Sequence, residues 1–421
     1  MGHFYINTHK YKWIYIYYLV LHLICLSWTN TGLVAPNTIL RLGVTIAIFV
    51  PLIKYFWMAP AVIILFVGLR FNSVAPFGYI PQTWNIYCWL IIIISILHNY
   101  IYENRIYKFS SKQLLLVIFI FIIDTINLQP FTPFILFVIM LCVLYNSINN
   151  EISLNISMLS FIILALTLSI YYFAFAKEFM ESYYGSDAER AVWVDPNYFG
   201  TLIGCGIILS FILLFTTKPN IVLKVIFILC IILGYIVVIL QASRGATLGI
   251  SVAIIVFLLL SKIKVYNKLF IAFIIIIGVI YLFNSGFFTL LIDRTLDDAG
   301  TGSGRTEIWI SKFSDWSDNY INLIGCGYQS SIHSFIPYNL DCHNELLSTL
   351  INYGIISIVI LIFSTFNIIK KTNNLTFNLP IIFFLFVTFM TLSPFSIQSG
   401  WIACPMLIVI LYKYNILYKF K

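Results

Sequence analysis

The chain has 421 residues, of which 61% are hydrophobic and only 10% charged, with a mean hydropathy of +0.97. Soluble domains carry about 25% charged residues, and a soluble core of this size has no room for so much apolar surface, so the bilayer has to be the solvent. The formal net charge of +8 would suggest nucleic acid for a soluble protein, but Lys and Arg here flank apolar runs; that is a topology signal, and no nucleic-acid partner is expected.

The chain opens with Lys10 and Lys12 ahead of an apolar run from Trp13 to Leu26. No small-residue cleavage site follows it, so it reads as an uncleaved first helix. Apolar stretches then fall at 13–29, 36–53, 55–70, 84–98, 113–129, 130–147, 153–176, 197–217, 221–241, 244–261, 267–286, 344–369, 379–395 and 400–418. At about 20 residues per span these predict an all-α, polytopic transmembrane bundle of about 12 to 14 helices, the lower number applying if short adjacent runs before residue 150 are re-entrant. Four regions are expected: N-terminal helices over 1–176, central helices over 177–285 with a small outer loop at 177–196, a large outer loop over 286–342, and C-terminal helices over 343–421.

Basic groups recur at Lys54, at Arg105, Lys108 and Lys112, at Lys218 and Lys224, at Lys262, Lys264 and Lys268, at Lys370 and Lys371, and at Lys419 and Lys421. With these spans all of them fall on one side, which the positive-inside rule makes cytoplasmic, together with both termini. The two longer polar stretches fall opposite and are acidic: 177–196 holds five acids against two bases, and 286–342 holds seven against three. A loop of that length in a chain with otherwise minimal loops is usually functional, so the chemistry is expected outside. Within it Trp309, Phe313, Trp316 and Tyr320 follow helical spacing from about Thr306, predicting one aromatic stripe on a helix that seats the loop at the membrane interface or packs on the bundle.

Three residues stand out chemically. Arg244, in Gln241-Ala-Ser-Arg-Gly-Ala-Thr, lies at the outer end of its segment among small neighbours. It suits either an arginine snorkelling to the interface or one gripping a phosphate or pyrophosphate bidentately. Arg305, in Gly302-Ser-Gly-Arg-Thr-Glu-Ile-Trp, precedes the interfacial helix; it suits an anion site at a glycine-rich helix start, or a solvated arginine paired with Glu307. His343 opens the helix that begins Asn344-Glu345. The positive end of a helix dipole favours a neutral, proton-accepting imidazole, the form a general base for a sugar hydroxyl requires, although a capping or packing histidine fits the same position. Asp195-Pro-Asn197 closes the small outer loop as a helix N-terminus or a substrate contact. Asp124, near the outer end of its segment, receives no role.

Six cysteines (Cys25, Cys88, Cys142, Cys205, Cys230 and Cys404) lie in apolar segments as small hydrophobes. Cys326 and Cys342 share the large outer loop, where a disulfide between them is one reading and two free thiols the other. There is no metal-ligand spacing, Walker loop or dinucleotide fingerprint, so neither a metal nor a cofactor is expected.

Five short pieces in the second half, in order, resemble one family: Asp195-Pro-Asn-Tyr-Phe-Gly, Ser243-Arg-Gly-Ala-Thr-Leu-Gly, Gly304-Arg-Thr-Glu-Ile-Trp, Gly325-Cys-Gly-Tyr, and His343-Asn-Glu-Leu-Leu-Ser-Thr-Leu-Ile-Asn-Tyr-Gly. The family is the O-antigen ligase and O-antigen polymerase superfamily of bacterial membrane glycosyltransferases. The His-Asn pair and Gly354 resemble the ligase motif, but Ser357 stands where that pattern has Gly, Thr or Tyr, which weakens the ligase subtype more than the superfamily. The resemblance implies a glycan donor on undecaprenyl pyrophosphate and a metal-independent, inverting transfer at the periplasmic face of the bacterial inner membrane. It further implies pyrophosphate binding by Arg244 and Arg305, proton removal by His343, a sugar contact from Asn344, and a chain-length regulator and a flippase as working partners, with Asn197 a further candidate for substrate contact. Very high Ile, Phe and Tyr content and the divergent first half favour a polymerase over a ligase. A lipid-linked oligosaccharide flippase is the reading from another class, but neither an internal repeat nor mid-membrane charges support it.

Overall fold

The computed structural model describes residues 12–28, 38–67, 81–104, 109–127, 132–176, 196–241, 243–286, 292, 305–318, 323–327, 342–371, 374–392 and 403–418. Among them the chain is all α, a polytopic helix bundle. The helices are α1 (Lys12–Trp28), α2 (Thr38–Lys54), α3 (Ala59–Val67, entered through a 3-10 turn at Phe56–Met58), α4 (Pro81–Tyr102), α5 (Ser111–Ile126), α6 (Thr132–Ser147) and α7 (Glu151–Tyr171). They continue with α8 (Pro196–Thr216), α9 (Ile221–Leu240), α10 (Arg244–Leu260), α11 (Val265–Asn284), α12 (Arg305–Asp318), α13 (Glu345–Lys371), α14 (Leu375–Thr391) and α15 (Ala403–Leu417). Each expected span coincides with one helix, and α12 is the additional one in the large loop. Five helices are long and apolar enough to cross a membrane by themselves. The described part of α3, nine residues or about 14 Å of helix, is too short to do so.

The core is built by α7, α8, α9, α10 and α14. The helix pairs α10–α14, α7–α8 and α8–α9 pack most extensively. Along α7 and α8 most of the spanning window is buried, whereas α11 has no buried residue at all. Lipid-facing surface elsewhere is made of side chains such as Leu115, Ile126, Ile232, Leu259 and Phe363, all exposed, as a bundle solvated by hydrocarbon requires. Close approach of α7 and α8 depends on Gly206, where any Cβ would overlap Ala165 and the Phe161 carbonyl.

Several helices start at the same end of the bundle, and their first turns are capped there by polar side chains. Ser110 and Gln113 form a capping box on α5, Asn150 and Ser153 one on α7, while Asn220 caps α9 and Asn374 caps α14. Each cap satisfies an amide that has no partner within its own helix. One cavity is lined jointly by Asn155, Thr216, Ser261, Asn374 and Tyr414, so the starts of α7 and α14 and the ends of α8, α10 and α15 share this end. It is the end that carries Lys218, Lys262 and Lys264. The starts of α8, α10, α13 and α15 therefore gather at the other end, in the alternation expected from the basic groups.

Candidate active site at the end opposite the lysines

Arg244 is the first residue of α10, and the next residue, Gly245, lies flat on Thr391, the last residue of α14. A Cβ on Gly245 would stand 2.5 Å from the Thr391 hydroxyl, so only glycine lets the two helix ends meet this closely. Thr391 turns its own hydroxyl inward, donating to the carbonyls of Val387 and Thr388. Its backbone carbonyl, at a helix C-terminus where partial negative charge collects, accepts a 3.2 Å hydrogen bond from Nη1 of Arg305. Thr391 thus brings the Arg244 segment and the Arg305 helix to one place, although 61 residues separate the two arginines in the chain. Nothing in the sequence around Thr391 signals this role.

One turn beyond Arg305, about 6 Å along α12, Trp309 donates its indole N–H to the Cys342 carbonyl at 2.7 Å. The next residue is His343, which is half-buried and has a backbone φ of 47°. That left-handed conformation turns the chain sharply into α13, and histidine is among the residues that tolerate it better than most. Asn344 follows as the N-cap, its Oδ1 accepting from the Leu347 amide at 3.1 Å. It is buried, and at least that oxygen is engaged in holding the helix start. Glu345, the first helical residue, is also buried and accepts from the Thr349 hydroxyl at 3.0 Å.

The remaining sequence pieces fold onto the same end. Gly200 in the first turns of α8 lies against Ser243 and Ala246. Residues 323–327 dock into a break in α13 at Gly354, whose φ of 68° and ψ of −174° are accessible essentially to glycine alone. A Cβ there would overlap the Leu323 carbonyl. The break releases backbone groups that a membrane helix cannot leave unsatisfied. Cys326 and Gly327 donate their amides to the carbonyls of Ile351 and Asn352, and the Ile356 amide donates to the Leu323 carbonyl. Ser357 bridges the break, with its hydroxyl placed 2.7 Å from the Gly354 carbonyl and 3.2 Å from that of Thr349. The first half of the chain supports this docking through Asn127, which donates to the Gly325 carbonyl at 3.4 Å.

The docking also corrects one expectation. Cys326 and Cys342 are separate thiols, not a disulfide. Cys326 is tied to the level of Ile351, nine residues or about 13 Å of helix below Cys342, whereas a disulfide needs Cα atoms within about 7 Å. Asn197 lies in the first turn of α8, its side chain outside the described residues, as are Asp195 and the glycines at 302 and 304. Tyr320 is outside them too. The rest of the aromatic stripe divides: Trp309 turns inward to Cys342 while Phe313 is exposed beside exposed Ile310. Asp124, left without a role, is fully buried near the end of α5.

Lys312 is the residue sequence reasoning missed. It is 3% exposed, seven residues after Arg305 and therefore on the same face of α12, the face turned toward the bundle. The i, i+7 spacing of Arg305 and Lys312 is a signal that a count of loop charges overlooks. Between α12 and α13 a groove of about 690 Å³ opens beside Asn344, walled by Trp309, Phe313, Leu347, Leu350 and Met390. Among the described residues no group of three or more His, Cys, Asp or Glu is arranged to hold a metal.

The stretch of chain that carries Arg244, Arg305 and His343 also matches a known family. Residues 228–362 match the family model described as O-antigen ligase. This segment is thus similar to the O-antigen ligase and polymerase superfamily. It spans from within α9 into α13 and contains Arg244, Arg305, Lys312, His343, Gly354 and Ser357, while Thr391 and the Asn197 turn lie outside it. No curated protein matches the chain. An O-antigen ligase- or polymerase-type function in the membrane, of the glycosyltransferase kind, is what the match supports.

Proposed function

We propose that the protein is an O-antigen polymerase, moving a glycan from undecaprenyl pyrophosphate to a hydroxyl of another lipid-linked repeat unit at the periplasmic face of the inner membrane. The observation that carries this reading is the meeting of Arg244, Arg305 and His343 around Thr391 and Cys342. A diphosphate leaving group calls for fixed cations, and guanidinium groups grip it without ever losing their charge. An alcohol nucleophile calls for one nearby base. In the step itself the acceptor oxygen bonds to the anomeric carbon as the bond from that carbon to the pyrophosphate oxygen breaks. His343 takes the hydroxyl proton, and the arginines hold the departing undecaprenyl pyrophosphate as its charge grows. A single displacement of this kind inverts the anomeric centre and uses no metal. The apolar groove between α12 and α13 has the character to hold part of the isoprenoid.

Transfer to lipid A-core by the same chemistry is the second reading, favoured by the name of the matched family. Ser357, the divergent first half and the composition favour the polymerase. The deciding experiment is a lipopolysaccharide gel from a deletion strain complemented with wild type or with His343→Ala. A core bearing a single repeat unit, extended by wild type and not by the variant, is expected. Bare core with lipid-linked polymer accumulating would instead establish the ligase, and an unchanged ladder would overturn both.

A further inference from the structure

The second large cavity lies at the opposite end of the bundle, has a volume of about 1140 Å³, and takes no part in the proposed chemistry. It is the gap between α11 and the core. Its rim carries Lys262, Lys264 and Asn374, and its wall is formed by apolar side chains that include Phe257, Ile271 and Ile274. Both lysines are exposed, and among the described residues neither is paired with an acid. Lys264 leans over the Tyr266 ring at 5.7 Å. Glu151, at the start of α7, acts on Tyr418 at the end of α15.

Two features define what fits here. From Lys264 to Ile274 is ten residues of helix, about 15 Å, or half of a hydrocarbon core about 30 Å thick. The cavity is therefore charged at the level of headgroups and apolar through the depth of one leaflet. In addition no side chain of α11 is fully buried, and Ile271 is only partly buried against the core, although the helix is anchored by a short link at the lysine end. A helix held off the bundle by a gap of this depth leaves space that hydrocarbon must fill.

We propose that this cavity is a binding site for one anionic glycerophospholipid of the leaflet at the basic end, its phosphate between Lys262 and Lys264 and an acyl chain between α11 and the core. Basic pockets between helices on the lysine-rich side of a membrane protein recognise lipid headgroups in this way. The inference is independent of the reaction at the other end.

Native mass spectrometry of the full-length protein in detergent, with phosphatidylglycerol or phosphatidylethanolamine added, tests it. Phosphatidylglycerol is expected to be retained preferentially, and Lys262→Gln with Lys264→Gln to weaken its binding about 30-fold, at roughly fivefold for each lysine. Lys218→Gln with Lys224→Gln removes the same charge from the same end outside the cavity and is expected to leave binding unchanged. Ile271→Trp, which fills the wall with both lysines in place, is expected to expel the lipid. Equal retention of the two lipids, equal losses in the two lysine pairs, or displacement by inorganic phosphate or undecaprenyl phosphate would overturn the proposal.

Discussion

Arg305 shows how much one side chain does at the candidate site. Its hydrogen bond to the Thr391 carbonyl fixes where the guanidinium stands, and a lysine cannot reproduce both that bond and a bidentate grip on phosphate. Arg305→Lys is therefore expected to behave nearly as Arg305→Ala does, with repeat-unit transfer by purified protein falling about 100-fold or more, the cost of removing one preorganised charge-stabilising donor. Lys312 belongs with it. If this buried cation faces the same anionic substrate, Lys312→Met keeps the volume and the fold while lowering transfer; unchanged transfer with unchanged melting would assign Lys312 to packing alone. Arg244, Arg305 and His343 were legible in the sequence because a charge beside small residues, or a histidine at a helix start, is unusual wherever it falls. Thr391 and Lys312 were not. A carbonyl acceptor has no residue signature, and the burial of Lys312 depends on which face α12 turns to the bundle.

At the level of elements, the break in α13 organises the site. It lets residues 323–327 lie against the helix at the level of Ile351 and Asn352. Gly354→Ala forces a side chain into a glycine-only conformation, at about 1–3 kcal/mol, and also drives Cβ into the Leu323 carbonyl. Thermal unfolding in detergent is expected to show a large loss of stability. Ser357→Ala, which gives up the hydroxyl bridge across the break, costs about 1 kcal/mol and should melt only slightly lower. Equal melting of Gly354→Ala and wild type would mean that the break can close. Gly354 was visible in the sequence as a motif position, but its reason was not: the clash partner lies 31 residues away, and local propensity carries no information about it. The misplaced disulfide has the same origin. Cys326 and Cys342 are close in the chain and share a loop, yet the docking at Gly354 pulls one of them two to three helical turns down α13.

For the molecule as a whole, the hydropathy pattern was enough to locate every described spanning helix, because twenty apolar residues have few alternatives in a chain this poor in charge. The structure adds that the lysine-bearing ends lie together and that the arginine site lies at the other end. Positive-inside topology predicts Lys262 in the cytoplasm and the start of α13 outside. Of the eight cysteines seven are buried, and Cys326 is half-buried with its thiol pKa raised by that burial, so a membrane-impermeant maleimide, which needs thiolate, meets little background. In a Cys326→Ser protein, Ser317→Cys on exposed α12 should label in spheroplasts with the membrane intact. Lys262→Cys should label only after permeabilisation. The reverse pattern would put the arginines and His343 on the cytoplasmic side, away from any periplasmic lipid-linked glycan, and would end the polymerase reading together with the ligase one. Labelling of both before permeabilisation would show instead that α10 to α13 do not cross the membrane as a unit.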